Sequence, residues 1–379
     1  MPLSIVLYET PPITENMKPM RSPKKAWPRL MSKKSSEESV EIQTNCSDYT
    51  NLTYIGEGGM GKVYSAKRVS DGTPVALKFF GYTNSTPCMS AILQEIRLLT
   101  SAVGIEGMVQ MFGVFKDTSE GLIPGKQCDQ ELPVIVMEHL TGGALIDVVL
   151  NKTLSERELA TIFKSFVLAL DSLHKRGFIH RDLKLENLML ARDSTDSPVK
   201  IIDFGLMVRV PAEYTDGVYR DTCVVGTPGY IAPESIQHYD YSPSSDLWQV
   251  GCIVYSMLSG LPAFHPQDSF QRTYFDMSGV GWDGVSDSAK DLVEKLLQKN
   301  PRYRLSIQGI LDHPWVRGEE MSASTVTRDV RKTSSNRTLR RLDCMLPVYA
   351  LRVASLSPKS FSPDPRRVRR SMSTDKFEN

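Results

Sequence analysis

Three features of the sequence predict an α+β chain built as two lobes, a small strand-rich lobe followed by a larger helical one. The runs "LTYIGEGGMGKVYSAKR" and "TPVALKFF" alternate like paired strands, and "PVIVMEHL" reads as a short buried strand. "SERELATIFKSFVLALDSLHKRG" has a helical apolar stripe through Leu159, Ile162, Phe163, Phe166, Val167, Leu170 and Leu173. "DLWQVGCIVYSML" is apolar on every side of a helix, as expected at the centre of a lobe.

Along the chain, residues 1–49 carry prolines, "KKAW" and "SKKSSEES" with little periodicity, and predict a flexible arm, with order beginning at Tyr54. After the glycine-rich hairpin, "MSAILQEIRLLTSA" spaces Ile92, Ile96 and Leu99 as one helical face. The long amphipathic helix opens on a capping box, Ser155 with Glu158, and Gly177 ends it. Helices dominate from there to Trp315, which places the folded unit at 50–315. Residues 316–379 form a basic tail rich in Ser and Arg, predicted to be largely disordered. From Val316 onward 14 basic residues stand against 7 acidic ones, so this segment carries +7 and the preceding chain −6 within a net charge of +1. Tail and body should attract each other.

Composition sets outer bounds. At 379 residues, 41% hydrophobic and 23% charged, the chain is neither fibrous nor wholly disordered. The longest uncharged apolar stretch, "LWQVGCIVYSML", is too short to span a bilayer, and "LSIVLY" lacks a preceding basic residue, so neither a transmembrane helix nor a signal peptide is expected. Six scattered cysteines without a CxxC pair suggest neither a disulfide framework nor a zinc site, and point to a reducing compartment, cytosol or nucleus.

The chemistry starts at "GEGGMGKV", where Gly56, Gly58 and Gly61 lie between two strand-like runs. A dinucleotide fingerprint would open a helix at that point, which disfavours a Rossmann unit. A glycine-rich hairpin can lower backbone N–H groups onto phosphates, although a plain hairpin turn would use the same residues. Lys78 stands in mid-strand, and Glu95 falls on or beside the apolar stripe of its helix. Each charge is costly without a partner, and the two together suggest one ion pair, the alternative being an exposed strand lysine. "HRDLKLEN" and "IIDFG" bring an acid, an ammonium and hard oxygen donors to the edge of apolar runs. Phosphoryl transfer needs that set: Asp182 to take the hydroxyl proton, Lys184 to neutralise the moving phosphoryl group, Asn187 and Asp203 to hold Mg²⁺.

With "VALK", "GTPGYIAPE", "DLWQVG" and "NPRYR" following in order, the sequence resembles the eukaryotic protein kinase family from about Tyr54 to Trp315. The resemblance implies the two-lobed kinase fold with ATP in the cleft. It assigns Ile55, Gly56, Glu57, Gly58, Gly59, Met60, Gly61, Lys62, Val63, Ala76, Lys78, Glu95, Met137, Glu138, Leu140, Glu186 and Leu188 to the nucleotide, Met137 being the gatekeeper. It pairs Glu234 with Arg304, has Asp246 brace the catalytic loop, and through Lys184 and Thr227 implies serine/threonine acceptors on protein substrates. The helical lobe is most similar to the calcium/calmodulin-dependent group, although no EF-hand signature follows. Ala144 stands where arginine-directed members carry Glu, which weakens a preference for arginine upstream of the target. Arg181 before Asp182 implies an activating anion. Phosphate on Thr222, placed by an upstream kinase, is the expected source, with Thr215 or the carboxylate of Asp221 as alternatives. The tail, with "RRLDCMLPVYALRV" and "PRRVRRSMST", would inhibit by lying across the lobe or would bind calmodulin, Pro347 interrupting any long helix. The plainer reading is a solvated end, and nucleic acid is not expected as a partner. A pseudokinase would require loss of Lys78, Asp182, Asn187 or Asp203, and none is lost; a small-molecule phosphotransferase would lack "GTPGYIAPE".

Overall fold

The computed structural model describes residues 4–5, 40–41, 48–58, 61–80, 89–116, 132–210, 217–265, 274–279 and 281–319. Five strands form the first lobe: β1 (Tyr49–Gly58), β2 (Gly61–Arg68), β3 (Pro74–Phe80), β4 (Met111–Lys116) and β5 (Pro133–Glu138), antiparallel in the order β1-β2-β3-β5-β4. β1 starts earlier than the alternation predicts. Tyr49 is buried and stacks on Phe115 with ring centroids 5.5 Å apart, while Asn51 at φ 58° and a register shift between Thr50 and Thr53 break the period-2 pattern just after it. The strand is thus held by a contact with β4, which the local pattern does not contain.

β3 is covered on both faces. Val75, Leu77 and Phe79 pack with Tyr49, Phe115, Val134 and Val136 on the outer side. Period 2 sends Ala76, Lys78 and Phe80 to the other side, where Phe80 joins Ile92, Ile96 and Leu99 of α1 (Met89–Ala102) in the main core. Lys78 is therefore the one charged residue on this face of β3, and it faces a helix.

The second lobe is helical: α2 (Leu145–Asn151), α3 (Glu156–Lys175), α4 (Pro233–His238), α5 (Pro243–Ser259), α6 (Asp287–Leu296), α7 (Ile307–Leu311) and α8 (Pro314–Arg317). The predicted capping box of α3 is formed: Ser155 Oγ accepts from Glu158 N at 3.3 Å, and Ser155 N donates to Glu158 Oε2 at 2.8 Å. Gly177, at φ 79°, turns the chain out of the helix. Glu156, buried in the first turn, accepts from Ser286 N, Ser286 Oγ and Trp315 Nε1 at 2.7, 2.7 and 2.9 Å, so α8 is latched back onto α3. α5 is buried from Ser245 to Ser259, as its all-round apolar sequence predicts. Short strands accompany these helices: β6 (Phe178–Ile179), β7 (Leu188–Leu190), β8 (Val199–Ile201), β9 (Val208–Arg209), β10 (Tyr219–Arg220) and β11 (Asp240–Tyr241), with β7 paired to β8, β6 to β9 and β10 to β11.

The link between α1 and β4 is sewn into the helical lobe. Ile201 N donates to Gly107 O and Val109 N to Ile201 O, both at 2.9 Å. Gly107 has φ 80°, and a Cβ there would lie 2.2 Å from that of Ala169, so only glycine lets the link come this close. Nearby, Lys200 of β8 pairs with Glu138 at 3.2 Å. Among the described residues no helix is long and apolar enough to cross a membrane.

Candidate active site

Lys78 donates from β3 to Glu95 Oε1 on α1, the ion pair expected from two misplaced charges, and both side chains are largely buried. The glycine-rich hairpin joins β1 to β2, with Gly58 opposite Gly61; Gly59 and Met60 lie outside the described residues, as does the side chain of Glu57. The glycines are not equivalent. A Cβ on Gly56 would meet nothing within 4 Å, whereas one on Gly61 would lie 2.0 Å from Phe79 O, so Gly61 is required by packing on β3. Below the hairpin, half-exposed Ile55 and half-buried Val63 flank Gly56, Lys62 pairs in register with Glu57, and Ala76 sits opposite Met137 across β3 and β5. Leu140 is buried after the strand. The Glu138 carboxylate is engaged by Lys200 and by Gln110 N, and its own backbone N–H donates to Gln110 O at 2.9 Å.

One expectation is corrected by burial. Leu188 is fully enclosed in the helical-lobe core, and the alternation of β7 turns half-buried Met189 to the other face, so the apolar residue available to a nucleotide there is Met189.

The loop from His180 to Asn187 is fixed from behind. Asp246, fully buried on α5, accepts from His180 N (2.9 Å), Arg181 N (2.9 Å) and His174 Nε2 (2.8 Å); a carboxylate only accepts, so His174 carries its proton on Nε2. Gln249, one turn on, accepts from Leu183 N and donates to Arg181 O, both at 2.8 Å. Burial holds the His180 imidazole below its usual pKa, so it is neutral near pH 7.

Within this frame Asp182, 3% exposed, accepts from Thr227 N at 2.8 Å and Thr227 Oγ1 at 2.6 Å. Lys184 Nζ donates to the same hydroxyl at 3.1 Å and lies 3.7 Å from the second carboxylate oxygen. Asn187 donates its amide nitrogen to Asp182 O at 2.8 Å, so its amide oxygen is the atom left for a cation. Asp203 is exposed while Phe204 beside it is buried, and its Oδ1 accepts from Gly205 N at 2.9 Å. The Asn187 amide oxygen and the Asp203 carboxylate are hard oxygen donors of the kind that would suit Mg²⁺ held jointly with phosphates. Glu186 stands half-buried on the turn Leu185–Asn187, where its charge, after burial, helps hold the Tyr230 hydroxyl protonated.

Two further sequence expectations are met by geometry. Arg304, its side chain fully buried, makes a two-pronged pair with Glu234 at 2.6 and 2.6 Å and donates also to Gln298 O and Ser244 O, each at 2.8 Å. Arg181 meets an anion, and that anion is Asp221 at 2.5 Å; Thr222 is exposed, and Thr215 lies outside the described residues. Gln249, Thr227 as a ligand of Asp182, and Tyr241, whose hydroxyl bonds both Val225 N (2.7 Å) and Val225 O (3.1 Å), escaped the sequence reading of the site. Each acts across 16 to 68 residues of chain, and only the motif "GTPGY" flags one of them.

A family model described as protein kinase domain matches residues 49–316, and the chain belongs to that family. Among curated proteins it is similar to Calcium-dependent protein kinase 6 of Oryza sativa subsp. japonica, 35% identical over 279 residues that make up 71% of this chain and 48% of that protein. It is 32% identical to Calcium-dependent protein kinase 25 of Arabidopsis thaliana over 333 residues, 83% of this chain and 60% of that one. With Calcium/calmodulin-dependent protein kinase type 1 of Caenorhabditis briggsae it shares 30% identity over 287 residues, 74% of each chain. The likeness to the calcium/calmodulin-dependent group read from the helical lobe thus holds, and the chain spans about half the length of the first of these relatives.

Proposed function

We propose that the chain is an active serine/threonine protein kinase that transfers the γ-phosphoryl group of Mg²⁺–ATP to hydroxyls of protein substrates. One observation carries this reading: a single buried carboxylate, Asp182, is aligned by the hydroxyl that Lys184 also holds, beside the free amide oxygen of Asn187. Nucleotide phosphates are held by the glycine-rich hairpin and by Lys78, kept in place by Glu95, and the adenine lies between Ala76, Val63 and Met189 with Met137 behind it. Asn187 and Asp203 would hold Mg²⁺, which would supply charge neutralisation on the phosphates. Asp182 orients the acceptor hydroxyl and takes its proton late in transfer, while Lys184 offsets charge on the moving group. The names of the relatives, and the Lys184–Thr227 contact that the family's serine/threonine members share, support the acceptor class.

Purified protein with Mg²⁺ and labelled ATP should phosphorylate serine and threonine peptides on an array and spare tyrosine peptides, and Asp203→Asn should lose transfer to all of them. Transfer confined to tyrosine, or none with any peptide, overturns the reading.

Specificity follows from α2. Ala144 is its N-cap without a side-chain cap, and is bridged to Met189, three residues past Glu186. Ala144→Glu should raise the preference for a peptide with arginine upstream of the acceptor by about tenfold in kcat/KM, the worth of one charge-assisted hydrogen bond. An unchanged ratio counts against that placement of the substrate. The basic segment beyond 319 lies outside the described residues; its charge against an acidic body, together with relatives named for calcium and calmodulin, supports a regulatory contact there, as an inhibitor or a calmodulin target. Truncation after Val316 that leaves both activity and its salt dependence unchanged removes that proposal.

A further inference from the structure

Arg181 precedes Asp182 directly and is 7% exposed, so its charge cannot be left to water. Its guanidinium is engaged from within the chain. Nε donates to Leu206 O at 2.6 Å, NH1 to Asp221 Oδ2 at 2.5 Å, and the plane lies over the rings of Tyr219 and Tyr241 at 5.3 and 5.2 Å. Asp221 is as firmly placed as its partner. Its N–H donates to Tyr239 O at 3.0 Å, its Oδ1 accepts from Thr222 N at 2.6 Å, and it follows directly on β10, which pairs with β11. The Thr222 hydroxyl is exposed and points back at Asp221 Oδ1, 3.5 Å away. A phosphate on Thr222 would therefore arrive beside a carboxylate that already holds the arginine.

We infer that Asp221 is a positioning residue: it supplies permanently the anion that orders the activation segment, so that activity needs no phosphate on Thr222. This rests on the kinase reading above. Its effect reaches the reaction through contacts already described. Arg181 stacks on Tyr241, the Tyr241 hydroxyl clamps Val225 by both backbone atoms, and two residues on, Thr227 aligns Asp182. Lys78, Glu95 and the glycine-rich hairpin stand outside that route. Loss of Asp221 should therefore lower kcat and leave the KM for ATP in place.

The experiment combines kinetics with hydrogen exchange on the full chain. Wild-type protein, stripped by a phosphatase and verified by mass spectrometry as unmodified at Thr222, should keep its kcat, and Thr222→Ala should match it. Asp221→Asn should lose about tenfold in kcat at constant KM for ATP, a typical size for coupling between linked sites. Asp221→Glu should recover most of the loss, which a mere packing role would not allow. In parallel, exchange of the Val225 amide should be slow in unmodified wild type and fast in Asp221→Asn, a readout that needs no catalysis. If the wild type phosphorylates nothing while Val225 stays protected through Asp221, the kinase reading fails and the anchoring stands. Loss of kcat on dephosphorylation overturns the inference, and so does an Asp221→Asn variant with normal kcat and a protected Val225.

Discussion

Asp182→Asn keeps nucleotide binding and loses turnover by about a thousandfold, within the usual range for removing a positioned general base. The substitution is nearly isosteric, and the residues assigned to phosphates and metal lie elsewhere, on β3, α1, Asn187 and Asp203. It changes the proton acceptor and the carboxylate that both Thr227 groups address at 2.8 and 2.6 Å and that Lys184 Nζ and Asn187 Nδ2 approach at 3.7 and 3.5 Å. An asparagine presents one oxygen to Thr227 and an N–H₂ where the acceptor hydroxyl should approach. Binding of a non-hydrolysable ATP analogue by calorimetry, beside single-turnover kinetics, separates the two effects. Turnover near wild type in the variant would sink the role given to Asp182.

Glu234→Ala destabilises the helical lobe by about 3–5 kcal/mol, because it strands a guanidinium that has no solvent exposure. Arg304 would keep its bonds to Gln298 O and Ser244 O and its place over the Trp248 ring at 5.1 Å, yet none of these carries a compensating charge. The expected fall in Tm is roughly 10 °C for a domain of this size. The paired change Glu234→Met with Arg304→Leu should cost much less, since it removes both charges from the interior together. Differential scanning calorimetry on the three proteins decides it: equal Tm values for Glu234→Ala and wild type would mean that water reaches Arg304.

Local pattern carried far in this chain. The helices at Met89–Ala102 and Glu156–Lys175 and the all-apolar α5 were legible from period and caps, because their stability signals lie within a turn or two of each other. The pairing of Lys78 with Glu95 was legible from cost, two charges in places where neither could remain alone. What escaped reading depends on distant partners. Tyr49 joins the sheet because Phe115 stacks on it, and Gly61 is glycine because Phe79 approaches from the next strand. Leu188 and Met189 differ only by strand phase, which a three-residue strand gives no periodicity to establish. Asp221 was legible only as one of three candidate anions for Arg181, and the pairing of β10 with β11 is what sets it against that arginine.

The link sewn between Gly107, Val109 and Ile201 gives α1 a fulcrum. Its C-terminal end at Ala102 is followed five residues later, at Gly107, by backbone fastened to the other lobe, while Glu95 lies seven residues up the helix, an arm of about 10 Å. Opening the Lys78 contact by about 3 Å therefore requires the helix to swing through roughly 17° about that end, by the geometry of such an arm. Sliding along its axis is blocked by the same stitches. Any event that switches this helix must act as a torque on its far end, near Met89, and a ligand gripping the stitched end would gain almost no leverage over the ion pair.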